Sequence, residues 1–207
     1  MNNNLNPRRL SREEIWKIVE EFRAKYVTPI DEVPVPIDEI IELKLNLTII
    51  PTDGLVGITD IEGFLSNDLK HIYIDNNTFS QDKFANRVRF TLAHEVGHYI
   101  LHPEQIKQLT LGNIEDWIEF NLRMNDNPNL EWFEWQAMEF AGRLLVPRDV
   151  LIQTIEEQRE KIDLARENLP DHNDDQILLY LSNMICKKFG VSHQVIKNRV
   201  YSERINF

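Results

Sequence analysis

Cysteine is nearly absent from this chain: Cys186 is the only one in 207 residues. No internal disulfide can form, so a reducing compartment is the natural setting. The thiol sits in the apolar run QILLYLSNMIC and reads as a small core residue. Long hydrophobic runs are missing too. The N-terminal MNNNLNPRRLSREE has no apolar stretch of the kind a secretion signal needs, and no segment approaches membrane-spanning length. The expected location is the cytoplasm. Basic residues are scarce against acidic ones, 23 to 34, giving a formal charge of −11. That balance argues against non-specific binding of nucleic acid or anionic membrane by the whole molecule. Internal repeats and low-complexity tracts are also lacking.

What remains is ordinary globular material, 42% apolar and 28% charged, of a length that suits one domain with a small appendage. SREEIWKIVEEFRAKY has helical spacing at Ile15, Ile18, Val19 and Phe22, with Ser11 as the N-cap. PVPIDEIIELKLN reads as a second helix introduced by prolines. LNLTII is strand-like, and GFLSNDLKHIYID reads as two short strands around an Asn-Asp turn. From about Ser80 the pattern is helical as far as Pro103. GNIEDWIEFNLRM and EWFEWQAMEFAGRLL follow as helices, and two or three more complete the chain. Helices, a small antiparallel sheet, then helices predict an α+β fold.

One stretch of this pattern carries chemistry. In RFTLAHEVGHYILHP, residues 89–103, two histidines stand one helical turn apart with a glutamate between them. On a helical wheel His98 lies about 40° and Glu95 about 100° from His94, so all three share one flank. Arg87, Thr91 and His102 join them, while Leu92, Ala93, Val96 and Ile100 form a core face; Arg89 falls among the apolar group. A solvated stripe on an amphipathic helix is the plain alternative. Composition weighs against it: with 6 His and 20 Glu in the chain, chance gives roughly 0.02 matches to H-E-x-x-H. The spacing also suits a metal. Imidazoles at i and i+4 converge on one ion with Zn–N of ~2.0–2.1 Å, and the glutamate after the first histidine is held where it can take a proton from water.

A third ligand must come from outside that helix. The extended form H-E-x-x-H-x-x-G-x-x-H fails, because Leu101 and Glu104 occupy the positions it needs. His102 lies two turns from His94, about 12 Å along the axis, too far to join both histidines. Packing or support of another histidine is its expected role. The better source is EWFEWQAMEFAGRLLVP, residues 131–147. Glu134 falls amid Leu130, Ala137, Met138, Ala141, Leu144 and Leu145, where a carboxylate needs a partner. Glu131, about 60° away, is its rival, and a purely structural glutamate is the third possibility. Glu139 shares its side with Gln136 and Arg143 and can pair with Arg143 at i+4. The alanines would let this helix approach the histidine helix closely.

HEVGHYILH together with E-x-x-A-x-x-F-A-x-x-L-L-x-P resembles the ImmA/IrrE family of metallopeptidases, relatives of thermolysin-like zinc enzymes. Glu134, Ala137, Phe140, Ala141, Leu144, Leu145 and Pro147 all fit, and PVPIDEIIELKLNLTII resembles the family's first helix and strand. The likeness covers about residues 34–150, with a weaker echo at the C-terminus. It implies a minimal thermolysin-like domain with one Zn2+ held by His94, His98 and Glu134, and Glu95 as the catalytic residue. The organisation expected is an N-terminal helical segment over 1–33, the zinc metallopeptidase domain over 34–150, and a helical C-terminal segment over 151–207 packed upon it. One position departs from the family: Met138 stands where Asn or Asp often hydrogen-bonds a metal ligand, so that support must come from elsewhere.

Such a site would open its fourth metal position to water and the scissile carbonyl. The oxyanion donor is not legible; Tyr73, His102, Arg143 and His172 are candidates, each more often structural. HIYID reads equally well as an edge strand for an extended peptide or as an ordinary internal strand. By resemblance, the substrate is a helix-turn-helix repressor whose cleavage derepresses stress or mobile-element genes. The alternative is a non-enzymatic regulator that binds a repressor or DNA and keeps zinc structurally. The tail KKFGVSHQVIKNRVYSER, with Gly190 a C-cap and Ser192 an N-cap, looks like half of a helix-turn-helix. Residues 183–207 carry a local +4, yet the apolar content there favours packing over direct DNA binding.

Overall fold

The computed structural model describes residues 6–56, 62–109, 116, 119, 120, 128–168 and 173–207. Helix α1, Arg12–Tyr26, starts where expected: Ser11 and Glu14 cap each other reciprocally, Oγ accepting from the Glu14 amide at 3.2 Å and the Glu14 carboxylate from the Ser11 amide at 2.8 Å. Its Ile15, Val19 and Phe22 are buried, with the Phe22 ring edge-on to Phe140. The prolines do introduce a helix, but α2 lasts only from Ile37 to Glu39 before widening into a π turn over Ile40–Lys44.

The sheet corrects one expectation. Strands β1 (Thr48–Thr52), β2 (Gly63–Leu65) and β3 (His71–Asp75) lie in the order β1-β3-β2. β2 and β3 form the expected antiparallel hairpin, but β1 pairs parallel with β3, so the sheet is mixed rather than antiparallel. The cause is a crossover. The chain leaves β1, builds β2 on the far side, and returns β3 into the gap, which makes the first and last strands run the same way. HIYID is therefore the central strand, with Ile72 and Ile74 buried, and the sheet edge near the histidines belongs to β2.

Past β3 come α3 (Asn76–Phe79), a 3-10 turn at Asp82–Phe84, and α4 (Ala85–Leu101), the histidine helix. Pro103 closes α4 by opening α5, Pro103–Gln108, at a position where its missing N–H costs nothing. The helix expected over GNIEDWIEFNLRM lies outside the described residues except at Asp116, Glu119 and Phe120. Helix α6, Pro128–Leu145, lies against α4. A Cβ placed on Gly97 would meet the Cα and carbonyl oxygen of Ala137 at 3.1 Å, so the two backbones are nearly in contact. Four helices complete the described chain, where two or three were expected: α7 (Arg148–Glu156), α8 (Arg159–Asn168), α9 (Asp174–Phe189) and α10 (His193–Ser202). Gly190 and Ser192 cap as the sequence indicates, and Cys186 is half-buried beside the core rather than within it. No helix among the described residues is long and apolar enough to cross a membrane.

Candidate metal centre

Helix α4 presents His94, Glu95 and His98 from one flank, and α6 presents Glu134 opposite them. His94 Nε2 lies 3.0 Å from Glu134 Oε2 and 3.0 Å from His98 Nε2, and His98 Nε2 lies 3.6 Å from the same carboxylate oxygen. Three donor atoms thus converge on one point, as a group that could hold a metal ion. The spacing can be tested against chemistry. A tetrahedral ion with bonds of ~2.0–2.1 Å sets its ligand atoms ~3.3 Å apart, and the observed triangle brackets that value. Two imidazoles and a carboxylate lining a cleft also suit zinc's preferences. The residues fit the group.

Electrostatics points the same way. Burial opposes a charge on His94, but the hydrogen bond and negative charge of Glu134 outweigh it and raise the imidazole's pKa. Burial likewise opposes ionised Glu134, yet the charge of His98 and hydrogen bonds from both histidines hold its pKa well below the ordinary carboxylate range. His94 and Glu134 thus stabilise each other's charged form. Glu131, the rival ligand, is exposed and lies outside the cluster.

Glu95 lies beside the three donors without joining them. It is 4% exposed, and burial raises its pKa even though the neighbouring histidines and a hydrogen bond from the Leu65 amide lower it. That amide belongs to β2. Gly63 allows the contact, because a Cβ there would lie 2.8 Å from the Tyr73 carbonyl oxygen and 2.9 Å from Thr91 Cγ2. Thr91 in turn donates to Glu62 at 3.0 Å, and Arg87 also pairs with Glu62, fastening β2 to α4.

The four residues line one side of a cleft of about 800 Å3. Ser192, Gln194, Val195 and Asn198 of the C-terminal segment also line it, a segment whose sequence favours packing over DNA contact. Phe90 and the exposed Met138 add apolar surface. Glu62 and this wall were missed because no local pattern marks them; only the tertiary fold brings them to the site.

The support that Met138 cannot give comes from His102. Its Nδ1 lies 3.0 Å from Nδ1 of His98, and both rings stack on Phe133 at centroid distances of 4.2 and 4.3 Å. Burial lowers the His102 pKa to about 2, so the ring is neutral. Of the other oxyanion candidates, Tyr73 and Arg143 have partners elsewhere in the fold. Tyr73 stacks on Phe64 in the sheet. Arg143 pairs with Glu20 at 2.6 Å and Glu203 at 2.6 Å. His172 lies outside the described residues. Arg143 thus does not pair with Glu139, which instead accepts from Trp16 at 2.6 Å and Arg199 at 3.0 Å; tertiary partners displace the expected i,i+4 contact. Arg89, the odd residue on the apolar flank, donates to the Gly190 carbonyl at 2.9 Å.

Against known families, the IrrE N-terminal-like domain of the M78 peptidases matches residues 78–201, more than half of the chain. The chain belongs to this peptidase family. The match runs from α3 to α10 and so includes the histidine helix, Glu134 and the C-terminal wall of the cleft. A metallopeptidase-type function follows, with protein as the class of substrate. No curated protein and no solved structure matches the chain.

Proposed function

We propose that this chain is a zinc-dependent endopeptidase in which His94, His98 and Glu134 hold the ion and Glu95 is the general base. The position of Glu95 carries this reading. A purely structural site has no use for a second acidic group, yet this one is buried beside the donor cluster and lines the same cleft. When bound, zinc acts as a Lewis acid that polarises a carbonyl and lowers the pKa of water to about 7. Glu95 takes the proton of the attacking water and passes it to the departing amine. Its raised pKa suits both halves of that task, since a base must also be able to give the proton back. The outer edge of β2 borders the cleft, where an extended peptide would add as a further strand. Phe90, Met138 and Val195 supply an apolar wall for its side chains.

The finer reading is that the peptide belongs to a helix-turn-helix repressor, cut inside the cytoplasm so that stress or mobile-element genes are derepressed. Its support is the likeness to the ImmA/IrrE proteins. Glu95→Gln keeps the side chain's size but cannot accept a proton, so it should retain zinc and fold while cleavage falls by about 10^2–10^4-fold. Co-expression with a small repressor encoded beside the gene, followed by electrophoresis of both chains, measures this. Normal regulation by Glu95→Gln with the repressor left intact would replace the peptidase reading with that of a zinc-containing, non-enzymatic regulator.

A further inference from the structure

His98 has one ring nitrogen in the donor cluster and the other 3.0 Å from Nδ1 of His102. Two nitrogens at that separation share one proton, so one ring donates and the other accepts. Which does which is decided one residue further out. His102 is 1% exposed and Gln136 is fully buried. His102 Nε2 and Gln136 Oε1 are both buried without a partner in hydrogen-bonding geometry, although the Gln136 side chain is near enough to act on the His102 ring. Two orphaned polar atoms this deep are costly unless they satisfy each other. The amide has one orientation, because Gln136 Nε2 donates to the Arg8 carbonyl at 3.1 Å and a flip would set oxygen against oxygen.

Gln136 Oε1 is therefore an acceptor, and the donor His102 can offer it is Nε2–H. That leaves a lone pair on His102 Nδ1. His98 must then carry its proton on Nδ1, with the lone pair of Nε2 aimed at the cluster. The alternative tautomer, with Nε2–H donating to Glu134, is blocked. We infer that Gln136 and His102 are positioning residues: a one-directional chain of hydrogen bonds from the Arg8 carbonyl through Gln136 and His102 locks His98 in its metal-binding tautomer.

The inference rests on the zinc reading above, and its test separates the two. Zinc affinity is measured on the full chain by competition with a chromophoric chelator, alongside the thermal midpoint of the metal-free protein. His102→Phe keeps a flat ring against Phe133 but removes Nδ1, and should weaken zinc roughly 10–100-fold, a loss separate from the stability that the missing hydrogen bonds take from the metal-free midpoint. His102→Asn restores an acceptor oxygen near the lost Nδ1 and should recover most of that loss. Gln136→Leu should fall between them. Long-range proton–nitrogen correlation spectra of the wild-type metal-free protein read the tautomers with no variant at all, so the inference stays testable should His102→Phe fail to fold. Nδ1–H on His98 and Nε2–H on His102 are expected. The opposite tautomer on either ring, or unchanged zinc affinity in His102→Phe, overturns the inference while leaving the zinc reading intact. A wild-type chain with no affinity for zinc overturns both.

Discussion

Glu134 lies where a helix would ordinarily carry an apolar side chain, and among the described residues its ion pairs are with the two histidines. Removing it should cost metal and little else. In Glu134→Ala, zinc affinity should fall by more than the roughly 10–100-fold typical of residues that merely support a ligand, whereas Glu131→Ala should bind as the wild type does. Metal content after dialysis against chelator distinguishes them. Retention in the first and loss in the second would move the ligand role to Glu131. At this scale much of the site was legible. His94, Glu95 and His98 follow from a spacing that composition makes rare, and Glu134 from a carboxylate on an apolar face. Helical wheels placed His102 on the right flank, but they could not show the shared stacking on Phe133 that brings its ring to His98. The wheel also paired Glu139 with Arg143, because local spacing does not see partners more than a hundred residues away.

The site's geometry belongs to the elements, since its donors come from two helices that nearly touch. Gly97→Ala should therefore be harmful although alanine is the better helix former. Its Cβ would lie 3.1 Å from backbone atoms of Ala137, which cannot rotate away, so α4 and α6 must move apart. The expected cost is about 1–3 kcal/mol of stability, as for overpacking elsewhere, with weaker zinc binding because Glu134 stands one turn from Ala137. Gly142→Ala is the control: there the added Cβ meets only Arg199 Cδ at 3.2 Å, the middle of a long side chain. Urea midpoints for the pair decide it, and equal effects would mean that the close approach at Gly97 is unimportant. Sequence reading anticipated small residues at this contact, as it anticipated the β2–β3 hairpin. It did not anticipate the parallel partner of β3, because a crossover leaves no mark comparable to a turn.

Charge is distributed over the whole molecule in a way that bears on its partners. The chain carries −11 in total, yet its last residues are locally basic. In the fold, Arg199 is 3% exposed and ion-paired with Glu139 and Glu203, so the segment's most central cation is spent on holding α10 to α6. Lys188 is paired with Glu157 at 3.1 Å, and Ile196 and Val200 are buried. The same helix supplies Val195 and Asn198 to the lining of the cleft. Duplex DNA binding by the full chain should accordingly be weak, and charge reversal at Lys187, Lys188 and Lys197 should leave it unchanged. Were these three to neutralise phosphates, log K would fall with log salt at a slope of about −3, and reversal would abolish that slope. Binding measured at two salt concentrations, for wild type and triple variant, separates the cases. A steep slope lost on reversal would make the tail a DNA-contacting element and shift the balance toward a regulator that holds zinc without cutting.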